Sequence, residues 1–203
     1  ASVSVNANSY EDAAGNLGLA GISPSFSLDT VAPTLNSIAI SGAVGANTSP
    51  SDATVKLLNS GDALLITATF SEVVLLDLTA GSPTLSVLIG SSTVLAIYVS
   101  GSGSSALVFS TTVVSGQTDT DGVAISLNAL SLNGATLKDV AGNPGVITSL
   151  AVAANAGYLV DTTSPTVSIT SNVSALKSGD TANITFTFSE DPRSSFTWDG
   201  SVG

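Results

Sequence analysis

Three phrases occur twice in this chain and return in the same cyclic order. "YEDAAGNLG" at 10–18 returns as "LKDVAGNPG" at 137–145. "LDTVAPTLNSIAIS" from Leu28 returns as "VDTTSPTVSITS" from Val160, and "NSGDALLITATFSE" at 59–72 returns as "KSGDTANITFTFSE" at 177–190. Self-similarity of this kind marks a tandem array of one structural unit. The paired phrases are unequally spaced, so the units are diverged domains with loop insertions and not a rigid solenoid. The extra residues of the middle copy fall in the stretch "GAVGANTSPSD". Phrase order sets the boundaries. Residues 1–30 read as the C-terminal part of one domain, 31–160 as a complete domain, and 161–203 as the N-terminal part of a third. With no initiating Met and no basic-then-apolar leader, the sequence reads as an internal piece of a longer product.

Within the complete copy the apolar residues alternate with a period of two, the signature of half-buried strands. Strands are expected near 35–41, 54–57, 63–70, 84–89, 94–99, 106–114, 123–132 and 146–153. In the third of these, Leu64, Ile66, Ala68 and Phe70 share one face, and Leu65, Thr67 and Thr69 the other. The flanking copy keeps the pattern, with Ala182, Ile184, Phe186 and Phe188 on one face. Turn-forming clusters such as "SGSGSS" (100–105) and "GQTDTDG" (116–122) separate the strands, and no segment carries a helical period with caps. The expected fold is all-β: immunoglobulin-like β-sandwich repeats in tandem, one complete domain flanked by two partial ones. The Cys–Trp–Cys signature of antibody domains is absent.

Composition narrows the chemistry. Only 9% of residues are charged, yet acids outnumber bases 15 to 4, for a net charge of −11. Four scattered cations, Lys56, Lys138, Lys177 and Arg193, argue against nucleic acid and anionic membranes as partners. No apolar run reaches the length of a membrane span. There is no cysteine and no histidine, so disulfides, thiolate metal sites and imidazole catalysis are excluded. No serine–lysine or paired-carboxylate site emerges, and no catalytic residue is assigned; an enzyme is not expected.

Topology then gathers the acids. In such a sandwich the linker bearing Asp29, the end of the strand "TFSE" bearing Glu72, and the loop "KDVAGN" bearing Asp139 and Asn143 all belong at the pole where the chain enters. Three carboxylates so placed would repel one another. A hard divalent cation resolves this, and calcium, which takes six to eight oxygens in flexible geometry, is the expected cofactor. Magnesium demands stricter octahedral order, and zinc lacks nitrogen and sulfur ligands here. The next junction repeats part of the set in Asp161 and Glu190, with Asp191 beside them; Asp12 and Asn16 carry the corresponding loop of the first copy. "TDTDG" adds Asp119 and Asp121 at the opposite pole, facing Asp161. Each motif also has a purely structural reading. D-T-x-x-P and D-x-A-G-N are turns in their own right, the latter with Gly and Asn at positive φ. Asp62 and Asp180 in "SGD" read as turn residues, and Trp198 as a core or interface side chain.

The co-occurrence of "DTTSPTVSITSNVSALKSGDTANITFTFSEDP", "YEDAAGN…SFSLDTVAPT" and "GQTDTDGVAISLNALSLNGATLKDVAGNPG" resembles the tandem bacterial immunoglobulin-like repeats of giant surface adhesins. These are the biofilm-associated and large repetitive types exported by type I secretion. The resemblance implies long extracellular stalks at the cell surface, stiffened by calcium at the junctions. Its ligand pattern maps onto Asp29, Glu72, Asp139 and Asn143, and onto Asp161 and Glu190. The implied partners are neighbouring repeats of the same protein, with a host, abiotic or bacterial surface gripped by other regions. Two further classes stand beside this one: a fibre subunit joined to its own kind by exchange of the terminal half-domains, and a ligand-binding module. An aromatic content of 5% disfavours a carbohydrate platform.

Overall fold

A computed structural model of the chain describes residues 1–198. The strands are β1 (Ser4–Val5), β2 (Gly21–Ile22), β3 (Leu35–Val44), β4 (Asn47–Thr48), β5 (Lys56–Leu58), β6 (Ala63–Asp77), β7 (Thr84–Ile89) and β8 (Ser92–Ser100). They continue with β9 (Ser104–Thr112), β10 (Thr118–Asp119), β11 (Val123–Ser131), β12 (Thr136–Lys138), β13 (Val152–Asn155), β14 (Tyr158–Asp161), β15 (Val167–Ser171) and β16 (Ile184–Phe188). One short 3₁₀ turn, Arg193–Ser195, follows. The protein is an all-β immunoglobulin-like sandwich.

The complete copy is built around one large sheet in the order β12-β6-β9-β8-β7-β11-β13, with β3 added along β6. Its pairings are antiparallel. The sheet folds over on itself, because β8 pairs with β7 through Ser92–Ile97 and with β9 through Ile97–Ser100. A smaller sheet, β10-β14-β5-β4, closes the far end, and within it β14 runs parallel to β5.

Alternation decides what is buried. Leu64, Ile66, Ala68 and Phe70 of β6 point inward with Leu85, Val87 and Ile89 of β7, Leu107 and Phe109 of β9, and Val123 and Ile125 of β11. Each such aliphatic or aromatic side chain withdrawn from water stabilises the fold by about 1.5–3 kcal/mol. The ring of Tyr98 meets Phe109 edge-on at 6.0 Å.

Strands at 84–89 and 123–131 fall where the alternation places them, whereas others shift. The 54–57 strand is β5, Lys56–Leu58. The 146–153 strand is reduced to Val152–Asn155. Before it, Val146 makes one parallel bridge to Thr34, Leu35 N–H donates to the Val146 carbonyl, and Val146 N–H to that of Pro33. Most consequential, the strand expected to stop at Phe70 continues to Asp77.

The repeats in sequence are repeats in structure. β15 pairs with β16 as β3 does with β6, starting from the same point: Val167 opposes Phe188 as Leu35 opposes Phe70, after which the β3–β6 ladder shifts register and the β15–β16 ladder does not. Thr34 N–H donates to Ser71 Oγ at 3.0 Å and Thr166 N–H to Ser189 Oγ at 2.9 Å.

Candidate metal centre

The site is assembled by the extension of β6. Between Thr69 and Val74 the ladder to β9 changes register, so several residues of β6 bulge out opposite one of β9. Glu72 sits in this bulge. The sequence places it in a loop at the strand's end; the ladder instead resumes at Val74, because buried Val74 and half-buried Leu76 keep the strand docked on the core. A bulge of this kind re-aims a side chain that a regular ladder would hold in place. The resumed strand also creates an edge on which β12 pairs, with Lys138 opposite Leu75, and this pairing brings the next residue, Asp139, beside the bulge.

The loop after β12 folds around its own aspartate. Asp139 Oδ1 accepts from Gly142 N–H at 2.6 Å and from Asn143 N–H at 2.8 Å, while Oδ2 accepts from Asn143 Nδ2 at 2.7 Å. Gly142 adopts a φ of 100°, which an L side chain would strain. Asn143 keeps a negative φ, so of the two residues expected at positive φ only the glycine is there. The same amide of Asn143 reaches the carbonyls of Asp29 at 3.2 Å and Val31 at 3.4 Å. It therefore ties the entering linker to the loop. Asp29 in turn caps its own turn, Oδ1 accepting from Val31 N–H at 3.0 Å.

Linker, bulge and loop thus converge. Asp29, Glu72 and Asp139 each offer a carboxylate oxygen, and these oxygens lie within 4.8 Å of one another. Asp29 is exposed, Glu72 half-buried and Asp139 buried. Burial, then the negative charges of Asp29 and Asp139, push the Glu72 carboxyl above its ordinary range. Burial opposes ionisation of Asp139 as well, but the donors of Asn143, Gly142 and Ala141 outweigh it and hold that carboxyl low. Lys138, the one cation adjacent in sequence, acts on Asp77, whose carboxyl is lowered by the Thr79 amide and hydroxyl and further by this lysine. The donor set is oxygen only, which suits a hard cation and excludes thiolate or imidazole ligation.

The remaining candidate residues are placed differently. The loop of Asp12 and Asn16 repeats two of the three side-chain bonds of the Asp139 loop, Oδ1 accepting from Asn16 N–H and Oδ2 from Asn16 Nδ2, while its second Oδ1 donor is Ala14 N–H where the later loop uses Gly142. No further acids gather around it among the described residues. Asp161 caps the turn to Thr163 as Asp29 does to Val31. Asp161 and Glu190 line a cleft of about 440 Å³ with Leu57, Thr118, Asp119 and Ser189, without closing into a three-acid cluster. Asp119 is buried and already engaged, Oδ2 accepting from Gly90 N–H and Oδ1 from Gly122 N–H, both at 2.7 Å. Asp121 is exposed and Asp191 caps Arg193. Asp62 and Asp180 hold equivalent turns, accepting from the N–H of Asn59 and of Lys177. Trp198 packs its ring against Phe186 with centroids 6.0 Å apart.

Sequence reasoning missed the reach of Ser71 and the role of β12. Ser71 anchors the linker beside Glu72 by accepting from Thr34 N–H and donating its own N–H to the Thr34 carbonyl. The retained serine before both glutamates, in "TFSE", was the available signal.

Residues 161–199 match the family model of a bacterial Ig-like domain. No curated protein and no solved structure matches the chain. Because 161–190 repeats the linker turn and the opening strand pair of the complete copy, with Thr166 N–H on Ser189 Oγ as Thr34 N–H is on Ser71 Oγ, the match supports a chain of bacterial Ig-like repeats. Among the described residues no helix is long and apolar enough to cross a membrane.

Proposed function

We propose that the chain is an extracellular stalk segment of a bacterial surface adhesin, in which calcium bound where successive domains meet stiffens the array and gives it reach for attachment or biofilm formation. The observation that carries this reading is the meeting of Asp29, Glu72 and Asp139, drawn from linker, strand bulge and loop, within 4.8 Å. Asp29, Glu72 and Asp139 would hold the ion, with the Asn143 amide oxygen and linker carbonyls as further oxygen donors. Bound calcium supplies positive charge that offsets three carboxylates. The chain's own residues do the rest: the Asn143 amide fixes the linker, and the Ser71–Thr34 pair sets its exit angle. The second junction would use Asp161 and Glu190 in the same way, with Asp119 and Asp121 beside them.

Extracellular calcium modules bind with Kd on the order of 10⁻⁴–10⁻³ M, so such a site is empty in the cytosol and filled outside. At 100 times Kd one site adds about 2.7 kcal/mol of stability. Calcium titrated into chelator-treated protein should raise the melting temperature. The rise should be much smaller with magnesium and absent in Asp139→Asn. A melting temperature indifferent to calcium in the wild type would sink the reading.

A further inference from the structure

We infer that the uncharged outer face of the complete domain, centred on Leu95, Ile97 and Val99 of β8, is a self-association surface for a second copy of this chain. Along β8 the side chains alternate. Ala96 is buried, while Leu95, Ile97 and Val99 are 58%, 61% and 55% exposed. Neighbouring strands flank this aliphatic ridge with hydroxyls: Thr84 and Ser110 both oppose Ile97, and Ser86 opposes Leu95.

Charge selects the occupant. Residues 78–118, which contain β7, β8 and β9, hold no Asp, Glu, Lys or Arg, and neither do 63–70 of β6 nor β11. Five adjacent strands, β6 as far as Phe70, thus present an outer face free of ionised groups on a molecule of net charge −11. Two copies meeting through acid-bearing surfaces would repel one another and strip water from carboxylates. Meeting through this face, they do neither. A charged partner finds nothing here to pair with, and a ridge without Lys, Arg or exposed aromatic rings lacks what draws a protein to a lipid surface. An isologous contact sets the ridge against its own symmetry mate. It is small beside the roughly 20–30 residues a side of a stable interface, so a single pair of domains associates weakly. Added salt, by screening the net repulsion, strengthens it. None of this depends on calcium: of its proposed ligands only Glu72 lies on one of these strands, in the β6 bulge beyond Phe70.

The absence of cysteine makes the test clean. Under mild oxidation Ile97→Cys should form interchain disulfides about tenfold faster than Leu150→Cys, a control outside the five strands that is the more exposed of the two, at 84% against 61%. In sedimentation experiments Ile97→Lys and, separately, Leu95→Lys should shift self-association to about tenfold higher concentration at unchanged melting temperature. Leu150→Lys should not. Monomer at every concentration and salt level, equal cross-linking rates, or association that survives Ile97→Lys would each overturn the proposal. Survival of that kind with loss in Ile169→Lys would assign association to exchange of the terminal hairpin instead.

Discussion

Glu72 and Asp139 belong to one group of acids yet are driven in opposite directions. Glu72 is raised by burial and by its two anionic neighbours, whereas Asp139 is held low by four donors despite its burial. The signs fix a pH profile. A raised carboxyl binds its proton more readily in the folded state, so protonating it adds stability as pH falls through the folded value towards the ordinary 4.5. A lowered carboxyl contributes stability above the ordinary 3.8 that is lost as pH falls through its depressed value. In chelator, thermal stability should therefore rise on acidification towards pH 4.5 and fall only below 3.8. The rise should vanish in Glu72→Gln, and a thermal-melt series across pH in both proteins checks it. Calcium should flatten the rise in the wild type, since a bound ion favours the ionised form of Glu72.

At the scale of elements, β6 carries both fold and site. Its first half is core: Ile66→Ala should cost about 2–5 kcal/mol in a denaturant titration. Val73→Ala, exposed within the bulge, should stay within about 1 kcal/mol. The first half was legible from sequence because period-two alternation from Leu64 to Phe70 admits only one inward face. So was the gathering of Asp29, Glu72 and Asp139, because alternating strand directions leave few poles at which those segments can end. What escaped was the bulge. "SEVVLLD" is apolar without clean alternation, and only the pairings to β9 and β12 decide that it stays extended. Asp119 shows the converse. Its D-x-D-G spacing suits a cation loop, yet in the fold its oxygens also accept from the amides of Gly90 and Gly122, and Gly90 lies too far away in sequence for any motif to reveal that bond.

For the whole molecule, the proposed ion acts on the linker more than on the core. Asp29 precedes the first strand of the complete domain, and its backbone is held by Asn143 from the loop after β12. Small-angle scattering should therefore report a longer, narrower distance distribution in calcium than in chelator, with Asp29→Ala behaving alike in both. A distribution insensitive to calcium would leave a plain spacer.

The parallel pairing of β14 with β5 sets how such a domain meets tension. β3 enters at one pole and β14 leaves at the other, each lying along its neighbour. A pull between the two ends runs along the ladders, so the bonds of Tyr158–Val160 to Lys56–Leu58 share the load and must slide together, where a hairpin pulled open from one end would lose them one at a time.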